Sequence, residues 1–197
     1  MVKLTKNELK KQKDGLKRFQ RYLPTLLLKK QQLQMVIRQV ELEYDETKRN
    51  RDNRRNDLRQ WIGVFADGVD LTPYAEVENV ATSTGNIAGI DIPVFEGITF
   101  VDRRWDLVEM PLWTDRGIDA LRSIVELEAS LRVLKEQLRR LENELRTTSQ
   151  RVNLFEKVKI PEAIENIRMI RIYLGDQQTA EVVRGKMAKR NLVREAS

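Results

Sequence analysis

Residues 149–174 read SQRVNLFEKVKIPEAIENIRMIRIYL, and the fold class can be argued outward from this stretch. Helix-favouring residues flank Pro161 on both sides, although a proline inside a helix removes a hydrogen bond and costs about 3 kcal/mol. The apolar stripe that reaches this stretch resumes one residue late, at Ile160 instead of Lys159. We therefore predict a long helix whose apolar register slips by one residue at 156–160, next to the proline.

The stripe belongs to a helix that we expect to begin near Thr114 or Asp115, since either residue suits the N-cap position. Its apolar positions alternate in steps of three and four residues, which is the 3.5-residue period of a left-handed coiled coil. The stripe runs through Ile124, Leu127, Leu131, Leu134, Leu138, Leu141, Leu145, Thr148, Val152 and Phe155, then Ile160, Ile167, Ile170 and Leu174.

A second long helix is predicted at the N-terminus. Thr5 and Glu8 have the spacing of a capping box, in which each side chain accepts a hydrogen bond from the other residue's backbone N–H group. The same 3.5-residue stepping from Leu9 to Trp61 meets mostly apolar residues, with exceptions at Lys30 and at Thr47–Arg54. Because Pro24 lies inside this helix, we expect either a bend there or a short first helix that ends near Leu23.

Glycine and proline interrupt the helical pattern at 62–113. Two β-like runs at 76–83 and 87–92 flank Thr84-Gly85-Asn86, which predicts a β-hairpin. The residues expected to share one face of it are Val77, Val80, Ile87, Ile90 and Ile92.

These patterns predict a mainly α protein. Its N- and C-terminal helices form a long antiparallel two-helix left-handed coiled coil, because two long helices joined by a short insertion can pack only in that way. The boundaries are 1–61 for the first helix, 62–113 for the hairpin-containing insertion, 114–190 for the second helix and 191–197 for a flexible tail, all within one structural unit.

The composition argues against an enzyme that acts alone. The chain has no cysteine and no histidine, and the carboxylate cluster at 41–46 lies among arginines on a predicted helix surface. No phosphate-cradling glycine motif is present, so we expect no catalytic residue, no metal site and no cofactor. No apolar run is long enough to cross a membrane, and the N-terminus does not have the pattern of a signal peptide.

Charge is segregated along the chain. Residues 1–30 carry a net charge of +8 and residues 183–197 carry +4, whereas residues 62–116 carry −7. This separation indicates that the chain ends and the middle meet different partners. Nucleic acid is a weak alternative partner, because acidic residues interrupt the basic run at 49–59 and no aromatic stacking platform accompanies it.

The segment 151–189 carries a specific resemblance. It resembles the C-terminal signature of the D-type subunits of V-type and archaeal A-type rotary ATPases, with phenylalanine at 155 where the family has leucine. The stretch GIDIP at 89–93 resembles a segment of the family's central hairpin. The signature positions that match are Arg151, Val152, Asn153, Glu156, Ile160, Pro161, Ile167, Ile170, Arg171, Leu174, Arg184 and Lys186.

The resemblance implies the central rotor shaft of a V-type ATPase or ATP synthase, on the cytoplasmic side and peripheral to the inner membrane. The implied partners are the A and B subunits of the catalytic hexamer, the small F subunit and the funnel-shaped subunit on the membrane ring. A non-motor coiled-coil scaffold or tether is the alternative.

Two contact sets follow as hypotheses. Basic residues near both chain ends are expected to face carboxylates of the A/B hexamer: Lys10, Lys11, Lys13, Arg184, Lys186, Lys189 and Arg190. Polar or apolar residues nearest the insertion are expected to contact the F subunit: Tyr44, Thr47, Arg51, Arg54, Leu127 and Leu131. Pro161 is expected to let the second helix bend while its apolar stripe stays on the partner helix.

Overall fold

The computed structural model describes residues 2–62, 68, 70–103 and 110–195. The predicted fold class is confirmed, because the chain is mainly helical with a long helix towards each end and an antiparallel hairpin between them. The elements are α1 (Lys6–Ile62), a short 3-10 helix (Thr72–Ala75), β1 (Val77–Ile87), β2 (Ile90–Phe100), α2 (Thr114–Leu154), a turn of π-helix (Phe155–Lys159) and α3 (Ile160–Glu195).

The helix α1 begins at the predicted cap. The backbone N–H of Glu8 donates to Thr5 Oγ1 at 3.2 Å, whereas the Glu8 carboxylate accepts from Gln12 Nε2 at 2.8 Å. Pro24 lies inside one uninterrupted helix, so the alternative of a first helix ending near Leu23 is wrong. Leu23 and Leu26 are partly buried on either side of it, and this packing offsets the single hydrogen bond that proline removes.

The chain divides into two units. Met1–Lys30 together with Thr147–Ser197 form one, called here the terminal unit, and Gln31–Arg146 form the other, called the hairpin unit. In the terminal unit the rings of Phe19 and Phe155 lie 5.2 Å apart, while Leu9 shares a groove with Ile167. Residue numbers therefore rise on one helix as they fall on the other, which confirms antiparallel packing in this unit.

The hairpin unit has its own core. Leu33, Ile37 and Val40 of α1 pack with Leu134 and Leu141 of α2, at the predicted stripe positions. Further along both helices Arg51 donates to Glu128 Oε2 at 2.9 Å, so these two helices also run antiparallel. Each helix buries the side that its 3.5-residue period marks as apolar, which is where most of the stability of such a pair arises.

The β-hairpin is confirmed, but the predicted turn is placed too early. Gly85 pairs with Ile92 inside the ladder, and the turn is Ala88-Gly89. Both turn residues have positive φ, 53° and 77°, as a two-residue turn of type I′ requires. Thr84-Gly85-Asn86 has the composition of a turn but lies within the strand β1. Asn86 nevertheless stabilises the turn, because its Oδ1 accepts a hydrogen bond from the Gly89 N–H.

The five apolar hairpin residues expected on one face divide into two groups. Ile92 is buried in the core of the hairpin unit, with Ile87 and Ile90 packed against it. Val77 and Val80 instead line a cavity of about 340 Å³ beside α2. The shift in strand register between Ala81 and Thr82 lies between the two groups, and a second shift lies between Val77 and Asn79.

Polar contacts from α2 fasten the hairpin to the helices. The buried Gln137 side chain donates to the Pro93 carbonyl at 2.6 Å, and Arg140 donates to the Asp91 carbonyl at 3.0 Å. Arg139 and Arg140 also bind the Glu136 carboxylate and lower its pKa to about 2. The hairpin therefore has a fixed position on α2 within this unit.

The C-terminal half of the chain begins and ends close to the predicted positions. The helix α2 begins at Thr114, as expected. The helix α3 continues to Glu195, five residues beyond the predicted end at 190, and residues 196–197 of the expected tail lie outside the described residues. Lysine, arginine and alanine at 186–190 favour helix and leave no sequence reason for it to stop there.

Substitutions of Ala88 test the turn. An L-residue at positive φ is strained by about 1–2 kcal/mol, asparagine tolerates this conformation best, and a β-branched residue tolerates it worst. We expect Ala88→Val to lower the free energy of hairpin opening by about 1 kcal/mol or more and Ala88→Asn to preserve or raise it. Amide hydrogen exchange in β1 and β2 measures the difference. Equal exchange in both variants would contradict the assigned turn.

Candidate functional site

Neither metal binding nor membrane crossing is suggested by the part of the chain that the structure describes. Among these residues no group of three or more aspartate and glutamate side chains is arranged to hold a metal ion. None of the described helices combines the length and the apolar character needed to cross a bilayer. The features described next are the π-turn and the exposed surfaces of the two units.

The π-turn confirms the predicted slip in register. The Ile160 N–H donates to the carbonyl of Phe155, five residues earlier, whereas an α-helix would pair residues four apart. A turn of this kind accommodates one extra residue without interrupting the helix. It occupies Phe155–Lys159, within one residue of the position at which the apolar stripe was predicted to slip.

Burial on α3 shows what the extra residue does. Val152 is buried before the π-turn, and Ala163, Ile167 and Ile170 are buried after it. The three later residues lie one position beyond the strict heptad positions 162, 166 and 169. The π-turn therefore absorbs one extra residue, so the apolar side of α3 still faces its partner helix although the buried positions come one residue late.

Pro161 lies two residues beyond the end of the π-turn and is exposed. Its missing N–H group lies where the hydrogen-bond ladder already changes from five-residue to four-residue pairing. The proline therefore stands at a position where a regular ladder is in any case interrupted, which reduces its usual cost inside a helix.

The other signature residues divide by burial. Val152, Ile167 and Ile170 pack inside the terminal unit, and Ile160 is partly buried. The exposed members are Arg151, Asn153, Glu156, Pro161, Arg171, Arg184 and Lys186. Packing in the terminal unit explains why apolar residues stand at the buried signature positions. The exposed polar signature residues make no such packing contribution within the described part of this chain.

A basic groove runs between the start of α1 and α3 in the terminal unit. Its volume is about 960 Å³, and its floor is apolar, with Leu9, Leu16, Ile164 and Ile167. Six cations stand along its rim: Lys6, Lys10, Lys13, Lys17, Arg168 and Arg171. Asp14 is also in the lining, and Glu165 pairs with Arg168 at 2.8 Å, so the rim keeps a strong positive excess.

Only some of the seven basic residues predicted to contact the A/B hexamer lie close together in the structure. Lys10 and Lys13 lie on the rim of the groove, whereas Lys11 does not line it. The remaining four residues lie on α3 in a segment where nearly every side chain is exposed: Arg184, Lys186, Lys189 and Arg190. None of the seven forms an ion pair with another described residue, so their charges remain available to a partner.

Most of the second predicted contact set serves the hairpin unit itself. Leu131 is buried and Tyr44 packs against the core. Arg51 is held by Glu128 and Asp52, and the hydrogen bond to Glu128 is the larger cause of its raised pKa. Thr47 and Leu127 are partly buried, which leaves Arg54 as the one exposed member of the set.

The sequence analysis missed two exposed apolar residues on α1, Met35 and Leu42, which are 71% and 70% exposed. They stand seven residues apart but outside the stripe that contains Leu33, Ile37 and Val40. Their seven-residue spacing on one side of the helix was the available signal.

Comparison with known proteins identifies relatives along almost the whole chain. The family model that describes the D subunit of ATP synthase matches residues 8–190. The D subunit of the V-type ATP synthase of Borreliella burgdorferi is 49% identical over 193 residues, covering 98% of this chain and 96% of that protein. The proteins of the same name from Chlamydia abortus and Chlamydia pneumoniae are 34% and 33% identical, each covering 97% of this chain and 93% of the relative.

Deleting one residue tests whether the π-turn sets the register. Removing the exposed Val158 eliminates the extra residue and returns Ala163, Ile167 and Ile170 to strict heptad spacing, so we expect little change in thermal stability. Removing the exposed Gln150 instead turns the following helix by about 100° relative to its partner. Since each buried aliphatic side chain contributes about 1.5–3 kcal/mol, this control should lose at least about 3 kcal/mol. Equal damage from both deletions would refute the register role.

Proposed function

The chain belongs to the family of ATP synthase D subunits, and on that basis we propose that it is the central rotor shaft of a V-type ATPase or ATP synthase. In this role it transmits torque between the catalytic A/B hexamer and the ion-translocating ring in the membrane. The chain is then a non-catalytic subunit, placed on the cytoplasmic side and peripheral to the inner membrane.

The observation that carries this proposal is the antiparallel pairing of the N- and C-terminal helices in the terminal unit. Phe19 of α1 contacts Phe155, and the apolar residues of α3 remain buried beyond the π-turn. Paired helices resist twisting because every turn of one is packed against the other. Resistance to twisting is the mechanical property that a rotating shaft requires.

We propose that the hexamer is contacted through the terminal unit. The exposed basic residues of α3 and the basic rim of the groove offer positive charge to a partner. Exposed ion pairs contribute only about 0–1 kcal/mol each, so a shaft can exchange them as it turns. For the F subunit, Arg54 and the partly buried Thr47 remain the proposed contacts of the predicted set, and the funnel-shaped subunit would bind elsewhere on the shaft.

A mechanical role for Pro161 extends the proposal. The π-turn and the proline together form a place where the helix can bend while Ile167 and Ile170 stay on their partner. A bent shaft presents different surfaces to the three chemically identical sites around it, so those sites differ at any moment.

Purification from the native cells distinguishes the shaft from a non-motor scaffold. A tag on the hairpin should recover A-, B- and F-type subunits together with ATPase activity. Recovery of the chain alone, or only with copies of itself, would favour the scaffold.

Neutralising four cations of α3 tests the hexamer contact. In the variant with Arg184, Lys186, Lys189 and Arg190 changed to glutamine, binding to the A/B hexamer should weaken about tenfold at low salt. Its salt dependence should also become shallower. A matched variant that changes Lys48, Arg49, Arg55 and Arg59 to glutamine should bind like the wild type. If both variants bind alike, the proposed contact is wrong.

Substituting the proline tests the mechanical role. Pro161→Ala restores an N–H donor and should raise the thermal midpoint, since a proline within a helix costs up to about 3 kcal/mol. The ratio of ions transported to ATP hydrolysed should fall in reconstituted vesicles. Pro24→Ala, which changes the other proline inside a helix, is the control and should leave that ratio unchanged. An unaltered ratio in both variants would assign Pro161 a purely structural role.

A further inference from the structure

A cavity of about 340 Å³ separates part of the β-hairpin from α2, within the hairpin unit. Both strands and one side of α2 contribute its apolar lining: Val77, Val80, Ile98, Val125, Ala129 and Val133. Glu128 and Arg132 contribute the charged part of the lining. Val77 and Val80 are 38% and 37% exposed, so the cavity opens to solvent on the side of β1.

Contacts beyond both ends of the cavity hold the hairpin on α2. Towards the end of α2, Gln137 and Arg140 donate hydrogen bonds to backbone carbonyls of β2. Towards its start, the guanidinium carbon of Arg122 lies 5.2 Å from the centre of the Phe100 ring. The cavity-lining residues of α2, at 125–133, lie between these contacts. The hairpin therefore cannot move onto α2 and close the space without losing them.

The apolar lining selects an apolar occupant. Protein interiors contain few voids larger than a water molecule, and a stable water needs two to four polar partners, which apolar walls do not supply. An apolar cavity of about 150 Å³ holds one benzene molecule, so the larger space here suits an alkyl chain of roughly ten carbon atoms. Burial of such a chain releases water from both the chain and the walls, which favours binding.

The charged part of the lining selects an acid. The Glu128 carboxylate accepts a hydrogen bond from Arg51 at 2.9 Å, so its charge is balanced within the unit. Arg132 is exposed and forms no ion pair with another described residue. One unbalanced guanidinium thus stands beside the apolar space, and its planar donors match the two oxygens of a carboxylate.

We propose that this cavity binds a medium-chain fatty acid, with its carboxylate on Arg132 and its alkyl chain between the hairpin and α2. A bound chain contacts both strands and the helix at once, so it stabilises the hairpin against opening. The inference does not depend on the proposed function, because residues of the hairpin unit alone form the cavity.

Calorimetric titration of the full chain with decanoate, below the concentration at which decanoate forms micelles, tests the proposal. Decanoate should bind in a saturable manner. Decylamine has the same chain length and the opposite charge at neutral pH, so it should bind at least about tenfold more weakly.

Two pairs of variants locate the site. Val80 and Val94 are hairpin valines that are each 37% exposed, but only Val80 lines the cavity. Val80→Phe occupies space that the alkyl chain requires and should weaken decanoate binding at least about tenfold, whereas Val94→Phe should bind like the wild type. Arg132→Gln should weaken binding about fivefold. Arg146→Gln, which changes an exposed arginine of α2 outside the cavity, should not.

Circular dichroism verifies that each variant is folded. If Val80→Phe does not fold, the two arginine variants still decide the outcome, since both change exposed side chains.

Amide hydrogen exchange provides an independent readout. Decanoate at ten times its dissociation constant should slow exchange about tenfold in β1 and β2, because the hairpin must release the ligand before it opens. The basic groove of the terminal unit also combines cations with an apolar floor, so it is the competing location. Protection of the start of α1 and of α3, without protection of the strands, would place decanoate there.

Three results would overturn the inference. They are the absence of saturable decanoate binding, equal affinity in the wild type and all four variants, and protection confined to the terminal unit. None of these results affects the proposed function, which is tested separately by the recovery of A and B subunits.

Discussion

The apolar stripe of each long helix must stay in contact with a partner helix, and most of the structure follows from this requirement. A helix with one apolar side cannot bury that side alone. In the hairpin unit Leu33, Ile37 and Val40 meet Leu134 and Leu141, and in the terminal unit Phe19 meets Phe155. The antiparallel direction in both units places the two ends of the chain in the same unit.

One extra residue in a helix opposes that requirement, since it turns the following part of a regular α-helix by about 100°. The π-turn at Phe155–Lys159 accommodates such a residue, and the buried positions after it come one residue late. Pro161 then occupies the place where the hydrogen-bond ladder has already changed. A proline that would interrupt a regular helix is thus compatible with the packing of α3 in the terminal unit.

The two units differ in the surfaces that they leave open. The terminal unit exposes a basic groove and a basic segment of α3, both suited to weak and exchangeable contacts with carboxylates. In the hairpin unit several charged side chains form ion pairs within the unit, as Arg51 does with Glu128 and Arg140 with Glu136. Its helix α1 leaves the apolar side chains of Met35 and Leu42 exposed.

Local sequence accounts for the two helices, the hairpin, the slip at 156–160 and the family, because each is encoded by periodicity, capping or a contiguous motif. Packing between distant elements is what favours the turn at Ala88-Gly89, where Ile87, Ala88 and Ile90 pack against the core of the hairpin unit. Gln137 and Pro93 are 44 residues apart in the sequence, and no local sequence pattern predicts the hydrogen bond between them. Periodicity tells which side of an element is apolar, but the position of the partner element decides which side chains remain free to bind another molecule.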